Sequence, residues 1–231
     1  MKNKYLSLYD IFLIAGIILC SAIYSIFSVT SGSQTLWDAV LGSAASVAGV
    51  FCVVLVAKGS IANYLFGVIN VSLYAFISFK ASIYGDAALN ALYYLPMQFI
   101  GFYQWRKRGA ESAPVKARRL SNMMRIVIAL GCIVLIAGGG IILRQLNDPQ
   151  PFKDAATTVL SIVAQALMSL AFMEQWVLWI ITNVLSVTMW SILAYRGEPQ
   201  AVSMVIMWCF YLLNSINGLR VWLRLSREDA N

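Results

Sequence analysis

The sequence predicts an all-α polytopic membrane protein with eight transmembrane helices. Of its 231 residues, 60% are apolar and only 12% are charged. A globular protein is instead about 45–50% apolar and about 25% charged. The apolar residues are also grouped into stretches close to the roughly 20 residues that span a bilayer. Together these observations exclude a large domain outside the membrane.

The apolar stretches define the predicted helices in chain order. They cover residues 9–29, 36–57, 61–79, 84–105, 123–143, 155–173, 176–195 and 201–223. The first follows Lys2 and Lys4 but has no small-residue cleavage site, so it is interpreted as a retained helix rather than a signal peptide. Pro96 is expected to kink the fourth helix. The basic stretch 106–122 is interpreted as a solvated loop between two halves.

The basic residues predict the orientation of these helices. If the links alternate between the two sides of the membrane, thirteen of the 17 lysines and arginines fall on the side of the N-terminus. Cytoplasmic loops are enriched in lysine and arginine, so both termini are predicted to be cytoplasmic. The net charge of +7 is therefore explained by topology, and a nucleic-acid partner is excluded.

The two halves of the chain resemble each other. A constant shift of 113 residues aligns three pairs of polar and aromatic residues, namely Asn63 with Trp176, Phe66 with Trp179 and Asn70 with Asn183. The run 101–105 similarly aligns with 218–222. A single helix between two three-helix units would keep the units parallel. The predicted organisation is an extra N-terminal helix (1–35), a first repeat (36–105), a basic loop with a linker helix (106–145), and a second repeat with the C-terminal tail (146–231).

The polar residues inside the predicted helices are mostly carboxamides and aromatic rings. The chain has no histidine, its four cysteines are scattered, and its carboxylates fall near helix ends. An enzyme would need a nucleophile with a base or a metal cluster, so no catalytic residue, metal or cofactor is predicted. A channel would need a ring of charges or a carbonyl filter, which the sequence lacks. The candidate substrate-binding residues are Trp179, Asn183, Asn70, Gln98, Asn214, Asn217, Trp176 and Phe66.

The spacing of these residues predicts a shared binding face. Trp176, Trp179 and Asn183 are three and four residues apart, which places them on one side of a helix. Carboxamides donate and accept hydrogen bonds, and an indole face attracts a cationic ring. This pattern is typical of a site for a neutral or weakly cationic polar ligand: the carboxamides suit an amide and sugar hydroxyls, and the indole suits a cationic ring. Two structural roles stay open, because tryptophan also anchors helices at the interface and asparagine also joins helices.

Two segments resemble motifs of the PnuC family of vitamin transporters. The run Asn63–Val71 resembles the family's N-Y-x-x-G-x-I-N segment, and Glu174–Val184 resembles its E-x-W-x-x-W-x-x-x-N-V motif. Further similarity lies in Leu95–Phe102 and around Asn217. The resemblance extends from Ala45 to Trp222, which is most of the chain.

This resemblance implies a carrier of nicotinamide riboside in the bacterial inner membrane. It also implies a fold of parallel three-helix repeats like that of the SWEET sugar transporters, in a 3+1+3 arrangement, and a homotrimer. Trp179 would stack on the pyridinium ring of the ligand. The carboxamide and ribose would bind Asn183, Asn70 and Gln98, with Asn214 and Asn217 as further candidates. Related proteins carry thiamine, which is the alternative substrate.

The scarcity of ionisable groups inside the helices predicts the transport mechanism. Without buried acids or histidines, nothing in the sequence couples transport to an ion gradient. We expect facilitated diffusion by alternating access, in which the two repeats rock about the site. Accumulation would then depend on a partner enzyme, a cytoplasmic ribosylnicotinamide kinase that traps the ligand by phosphorylation.

Overall fold

A computed structural model describes residues 7–80, 84–148, 150–196 and 201–228. Apart from one isolated bridge, all regular structure in these ranges is helical. The chain divides into two compact units, Met1–Val115 and Lys116–Asn231. Each unit is built from long helices that pack against their neighbours in sequence.

The first unit contains three long helices followed by a segmented one. Its elements are α1 (Leu8–Thr30), α2 (Leu36–Ala57), α3 (Asn63–Lys80), α4 (Tyr84–Ala88), a π-helical turn (Leu89–Tyr94) and α5 (Leu95–Lys107). The helix α2 packs against α1 and α3, and α3 packs against α5. Ser7 and Thr35 accept backbone N–H groups at the starts of α1 and α2, which fixes where both helices begin.

The predicted irregularity in the fourth apolar stretch is a π-helical turn rather than a simple kink. The turn ends at Tyr94, two residues before Pro96. Proline has no N–H to continue the helical ladder, and a π-turn is a common way to accommodate such a break. The break lies just before Gln98, one of the predicted site residues.

In its described residues, the second unit contains four helices. They are α6 (Asn122–Gln145), α7 (Pro151–Ser169), α8 (Gln175–Tyr195) and α9 (Ala201–Glu228). The bounds of α7 differ from the predicted 155–173. Pro151 starts the helix early, since a first-turn residue needs no N–H. Ala171 has a positive φ of 61°, which takes the chain out of the helix before residue 173.

Among the described residues, five helices are long and apolar enough to cross a membrane. They are α1, α2, α6, α8 and the part of α9 from Met204 to Arg227. The helix α6 exposes large apolar side chains, such as Ile126, Val134 and Ile141, along its length. A helix with so much exposed apolar surface is suited to lipid rather than water. The protein is therefore a multi-pass helical membrane protein.

The turns before α3 and α8 correct the predicted repeat by one residue. Gly59 and Ala171 occupy matching positions, with φ of 67° and 61°. In each turn the next residue donates its N–H to the carbonyl five positions earlier, at 2.9 and 2.8 Å. The shift between the units is therefore 112 residues here, and the predicted shift of 113 is wrong. Matching chemically similar asparagines favoured the wrong register, whereas the turn backbone defines the correct one.

Aromatic packing confirms the corrected register. The ring of Tyr64 packs edge-on against Trp105, with centroids 5.2 Å apart, and covers Gly101. In the second unit Trp176 makes the same edge-on pair with Trp222 at 6.1 Å, again over a glycine. Tyr64 and Trp176, which are 112 positions apart, thus make equivalent packing contacts in their units.

Replacing Gly218 by alanine should destabilise the protein. A Cβ at this position would lie 2.5 Å from the ring of Trp176, which is only 2% exposed and has no room to move. Overpacking of this kind costs about 1–3 kcal/mol. We expect a lower melting temperature in detergent or nanodiscs. Gly138→Ala is the matched control, because a Cβ there meets nothing within 4 Å. Equal stability of the two variants would contradict the close packing of α8 on α9.

The basic stretch 106–122 is partly ordered rather than a fully solvated loop. In the first unit Val115 is fully buried and donates its N–H to the carbonyl of Gly59 at 2.8 Å. In the second unit Arg118 donates its N–H to the carbonyl of Ala171 at 2.7 Å, and Leu120 is buried. The expectation of a solvated loop is therefore wrong for Val115, Ala117 and Leu120, which are buried, whereas the basic residues between them are exposed. Apolar residues spaced among the basic ones anchor this part of the chain.

Candidate functional site

In the first unit, Gln98 presents a buried carbonyl oxygen against α3. Its side chain is 3% exposed, and its Nε2 donates to the carbonyl of Tyr94 at 3.3 Å. Its Oε1 has no hydrogen-bond partner among the described residues. That oxygen lies where a Cβ on Gly67 would be, so the glycine makes room for the amide. A buried acceptor without a partner is costly unless water or a ligand supplies a donor.

Two other predicted residues of the first unit lie on α3 and contact α2. Asn70 is half-buried, and its Nδ2 donates to the carbonyl of Ala45 at 2.8 Å. The ring of Phe66 stacks on Phe51, with centroids 5.1 Å apart and planes 22° from parallel. These contacts hold the face of α3 that carries Asn70 and Phe66 against α2.

In the second unit, Asn183 is held by a hydroxyl on α9. The side chain of Asn183 is 3% exposed, and its Nδ2 donates to Ser215 Oγ at 2.8 Å. The hydroxyl of Ser215 in turn donates to the carbonyl of Tyr211 at 2.9 Å. Asn214, next to Ser215, is buried, and Asn217 is half-buried. The structure thus joins Asn183 of α8 to α9 through Ser215.

The two predicted tryptophans of α8 differ in their surroundings. Trp176 is buried against Trp222, and this pair is a packing contact of α8 with α9. Trp179 is half-buried, one helical turn before Asn183. Because Trp179 retains exposed ring surface, it is the more available of the two for a ligand.

Ser215 is the site residue that the sequence prediction missed. The run Tyr94, Gln98, Gly101 and Trp105 matches a second run 117 residues later, namely Tyr211, Ser215, Gly218 and Trp222. In both runs the second residue hydrogen-bonds the carbonyl of the tyrosine four positions earlier. The shared spacing could have identified Ser215 as the counterpart of Gln98.

At these matching positions, the two units differ in side-chain size. With the shift of 112, Gly67 corresponds to Trp179, and with the shift of 117 that applies to the later helix, Gln98 corresponds to Ser215. The first unit therefore combines a glycine with a long amide, and the second combines an indole with a short hydroxyl. One unit is suited to polar contacts, and the other adds a flat aromatic surface.

Three acidic residues near helix ends are paired with basic ones. Asp10 lies 2.7 Å from Lys58, and Asp38 pairs with Lys80. Glu174 lies 2.8 Å from Arg125 and accepts the backbone N–H of Leu120. In the part of the chain that the structure describes, no group of histidine, cysteine and acidic side chains could hold a metal ion.

A cavity of about 550 Å³ lies in the first unit, away from the predicted site residues. It lies at the ends of α1, α2 and α3, and none of the eight candidates lines it. Some of its polar residues have partners: Ser25 bonds Ser43 at 2.8 Å, and Lys80 pairs with Asp38. We do not assign the substrate to this cavity, because none of the predicted site residues lines it.

Apolar spanning helices that enclose neutral amides and aromatic rings define a polytopic membrane protein of the transporter class. The chain belongs to the nicotinamide mononucleotide transporter family, whose profile matches residues 39–224. The family and its curated relatives are transporters, not enzymes.

Individual relatives are similar over most of their length. The nicotinamide riboside transporter PnuC of Neisseria mucosa is 40% identical over 198 residues, covering 84% of this chain and 75% of the relative. The Haemophilus influenzae transporter of the same name is 32% identical, covering 83% and 82%. A crystal structure of the vitamin B3 transporter PnuC has a TM-score of 0.77 at 34% identity, covering 98% of this chain and 95% of that one.

Proposed function

We propose that this protein carries nicotinamide riboside across the bacterial inner membrane by facilitated diffusion. The observation that carries the proposal is the neutral polar set of α3, α5, α8 and α9, in a chain 40% identical to a nicotinamide riboside transporter. Carboxamides match the amide and hydroxyls of this ligand, and an indole matches its cationic ring.

The proposed roles follow the placement of the side chains. Trp179 stacks on the pyridinium ring, since it has exposed ring surface beside Asn183. The ligand's carboxamide and ribose are bound by the amides of Asn183, Asn70 and Gln98, with Asn214 and Asn217 as further contacts. Phe66 and Trp176 support this set through their ring contacts with Phe51 and Trp222.

The proposed architecture has eight spans in a SWEET-like 3+1+3 arrangement. The extra helix lies in residues 1–35, the repeats in 36–105 and 146–231, and the linker helix α6 in 106–145. The matching turns and aromatic pairs of the two units support the repeat. The excess of basic residues on one side supports cytoplasmic termini. The assembly is proposed to be a homotrimer.

The proposed mechanism is alternating access without ion coupling. The carboxylates Asp10, Asp38 and Glu174 are already ion-paired, which leaves them poorly suited to a proton or sodium relay. The membrane potential favours entry of the cationic riboside, and a cytoplasmic ribosylnicotinamide kinase adds to its accumulation by converting it to the mononucleotide. Carboxamides offer no full positive charge to a phosphate, so the product is retained.

Transport by purified protein in proteoliposomes tests this proposal. We expect saturable uptake of labelled nicotinamide riboside and counterflow against unlabelled ligand, with thiamine a weak competitor. Protein-free liposomes are the control. Preferential uptake of thiamine would support the alternative substrate. Flux that does not saturate would indicate a pore, and formation of a chemical product would indicate an enzyme.

A further inference from the structure

Three of the proposed site amides are held by their nitrogen ends. Asn70 Nδ2 donates to the carbonyl of Ala45, and Gln98 Nε2 donates to the carbonyl of Tyr94. A backbone carbonyl can only accept a hydrogen bond, so each amide must turn its nitrogen toward it. The side-chain oxygen is then the acceptor end of each amide, and Gln98 Oε1, which is buried against Gly67, has no partner among the described residues.

The same orientation is imposed on Asn183 through a hydroxyl. The hydroxyl proton of Ser215 is used on the carbonyl of Tyr211, which leaves Oγ as an acceptor. Asn183 must therefore offer its Nδ2 to Ser215, at 2.8 Å. Its Oδ1 is then the remaining polar end of the side chain, and the described contacts of Asn183 engage only the nitrogen.

We propose that Ser215 is a positioning residue of the substrate site: it fixes Asn183 so that Oδ1 accepts a hydrogen bond from the ligand. With Nδ2 of Asn183 engaged by Ser215, Oδ1 is the acceptor that this part of the second unit offers to the ligand. Such a site selects a ligand that is cationic and supplies O–H and N–H donors. This inference rests on the proposed function and assigns the polarity of its site.

The first unit supports a role for Ser215 in ligand recognition, in addition to its contact between α8 and α9. Gln98, the counterpart of Ser215, makes the same hydrogen bond to a tyrosine carbonyl four residues earlier. Gln98 presents an acceptor oxygen directly, whereas Ser215 presents one through Asn183. The matching positions thus contribute an acceptor oxygen in both units. In the first unit it belongs to Gln98 itself, and in the second it belongs to Asn183, which Ser215 orients.

Ligand analogues separate positioning from mere stabilisation. The affinities of nicotinamide riboside, nicotinic acid riboside and a 2′,3′-O-methylated riboside are measured on wild type, Ser215→Ala and Ser215→Thr. The two analogues replace donors by acceptors at the carboxamide and at the ribose. In Ser215→Ala we expect riboside affinity to fall about 3- to 10-fold, the effect of one lost hydrogen bond. The preference of this variant for nicotinamide riboside over at least one analogue should also shrink. Without Ser215 the amide of Asn183 can rotate and turn its nitrogen toward the ligand.

Two comparisons make the result decisive. Ser215→Thr keeps the hydroxyl and should restore the wild-type selectivity. Ser226→Ala removes another buried serine of α9 that bonds a backbone carbonyl, and should change stability without changing selectivity. Unchanged selectivity over both analogues in Ser215→Ala would overturn the positioning role and leave the proposed function intact. A wild-type protein that binds no riboside would overturn both.

Discussion

Replacing Trp179 by alanine should weaken the binding of nicotinamide riboside by roughly 10- to 100-fold. Stacking of a base-like ring on an aromatic side chain contributes about 1–3 kcal/mol. A cationic ring adds attraction to the indole face. Trp179→Phe keeps a smaller aromatic face and should lose less affinity than Trp179→Ala. Isothermal titration of the purified protein measures both values directly.

Two other tryptophans serve as controls that separate loss of ligand stacking from loss of stability. Trp37 is 64% exposed and belongs to none of the proposed contacts, so Trp37→Ala should leave riboside affinity unchanged. Trp176→Ala should instead lower the melting temperature, because the ring packs on Trp222. Equal riboside affinity in wild type and Trp179→Ala would contradict the stacking role. A parallel loss in Trp37→Ala would show that the effect is not local.

The helices could be predicted closely because the membrane fixes the length of an apolar segment. The predicted 36–57 coincides with α2, and α1 extends only one residue beyond each predicted end. The prediction failed by four residues at α7, where hydropathy does not register a proline start or a positive φ. Backbone geometry, rather than composition, sets those ends.

The candidate site could be predicted by residue type but not by partner. Carboxamides inside apolar segments are costly in lipid, so Asn183 and Gln98 were recognisable from the sequence. The hydroxyl of Ser215 was not, because serine in a membrane helix usually bonds its own backbone and carries little signal. Ser215 does make that backbone bond, and only the packing of α8 on α9 reveals its second contact.

Transport should respond to membrane potential and to no chemical ion gradient. Nicotinamide riboside carries a fixed positive charge on its ring, and the proposed site binds it with neutral amides and an indole. Each transport cycle of an uncoupled carrier would then move one net charge. One charge crossing 100 mV corresponds to about 2.3 kcal/mol. Since about 1.4 kcal/mol is tenfold, the expected accumulation is roughly 40- to 50-fold.

Proteoliposomes with a potassium diffusion potential can measure this accumulation without a kinase. At 100 mV inside-negative, labelled riboside should concentrate inside, and at zero potential it should only equilibrate. A pH or sodium gradient imposed at clamped zero potential should produce no accumulation. Accumulation under either gradient alone would mean that a paired carboxylate, such as Asp10 or Glu174, leaves its partner during the cycle to bind the coupling ion. Asp10→Asn and Glu174→Gln would then identify which one, because only the coupling residue would abolish the gradient-driven uptake.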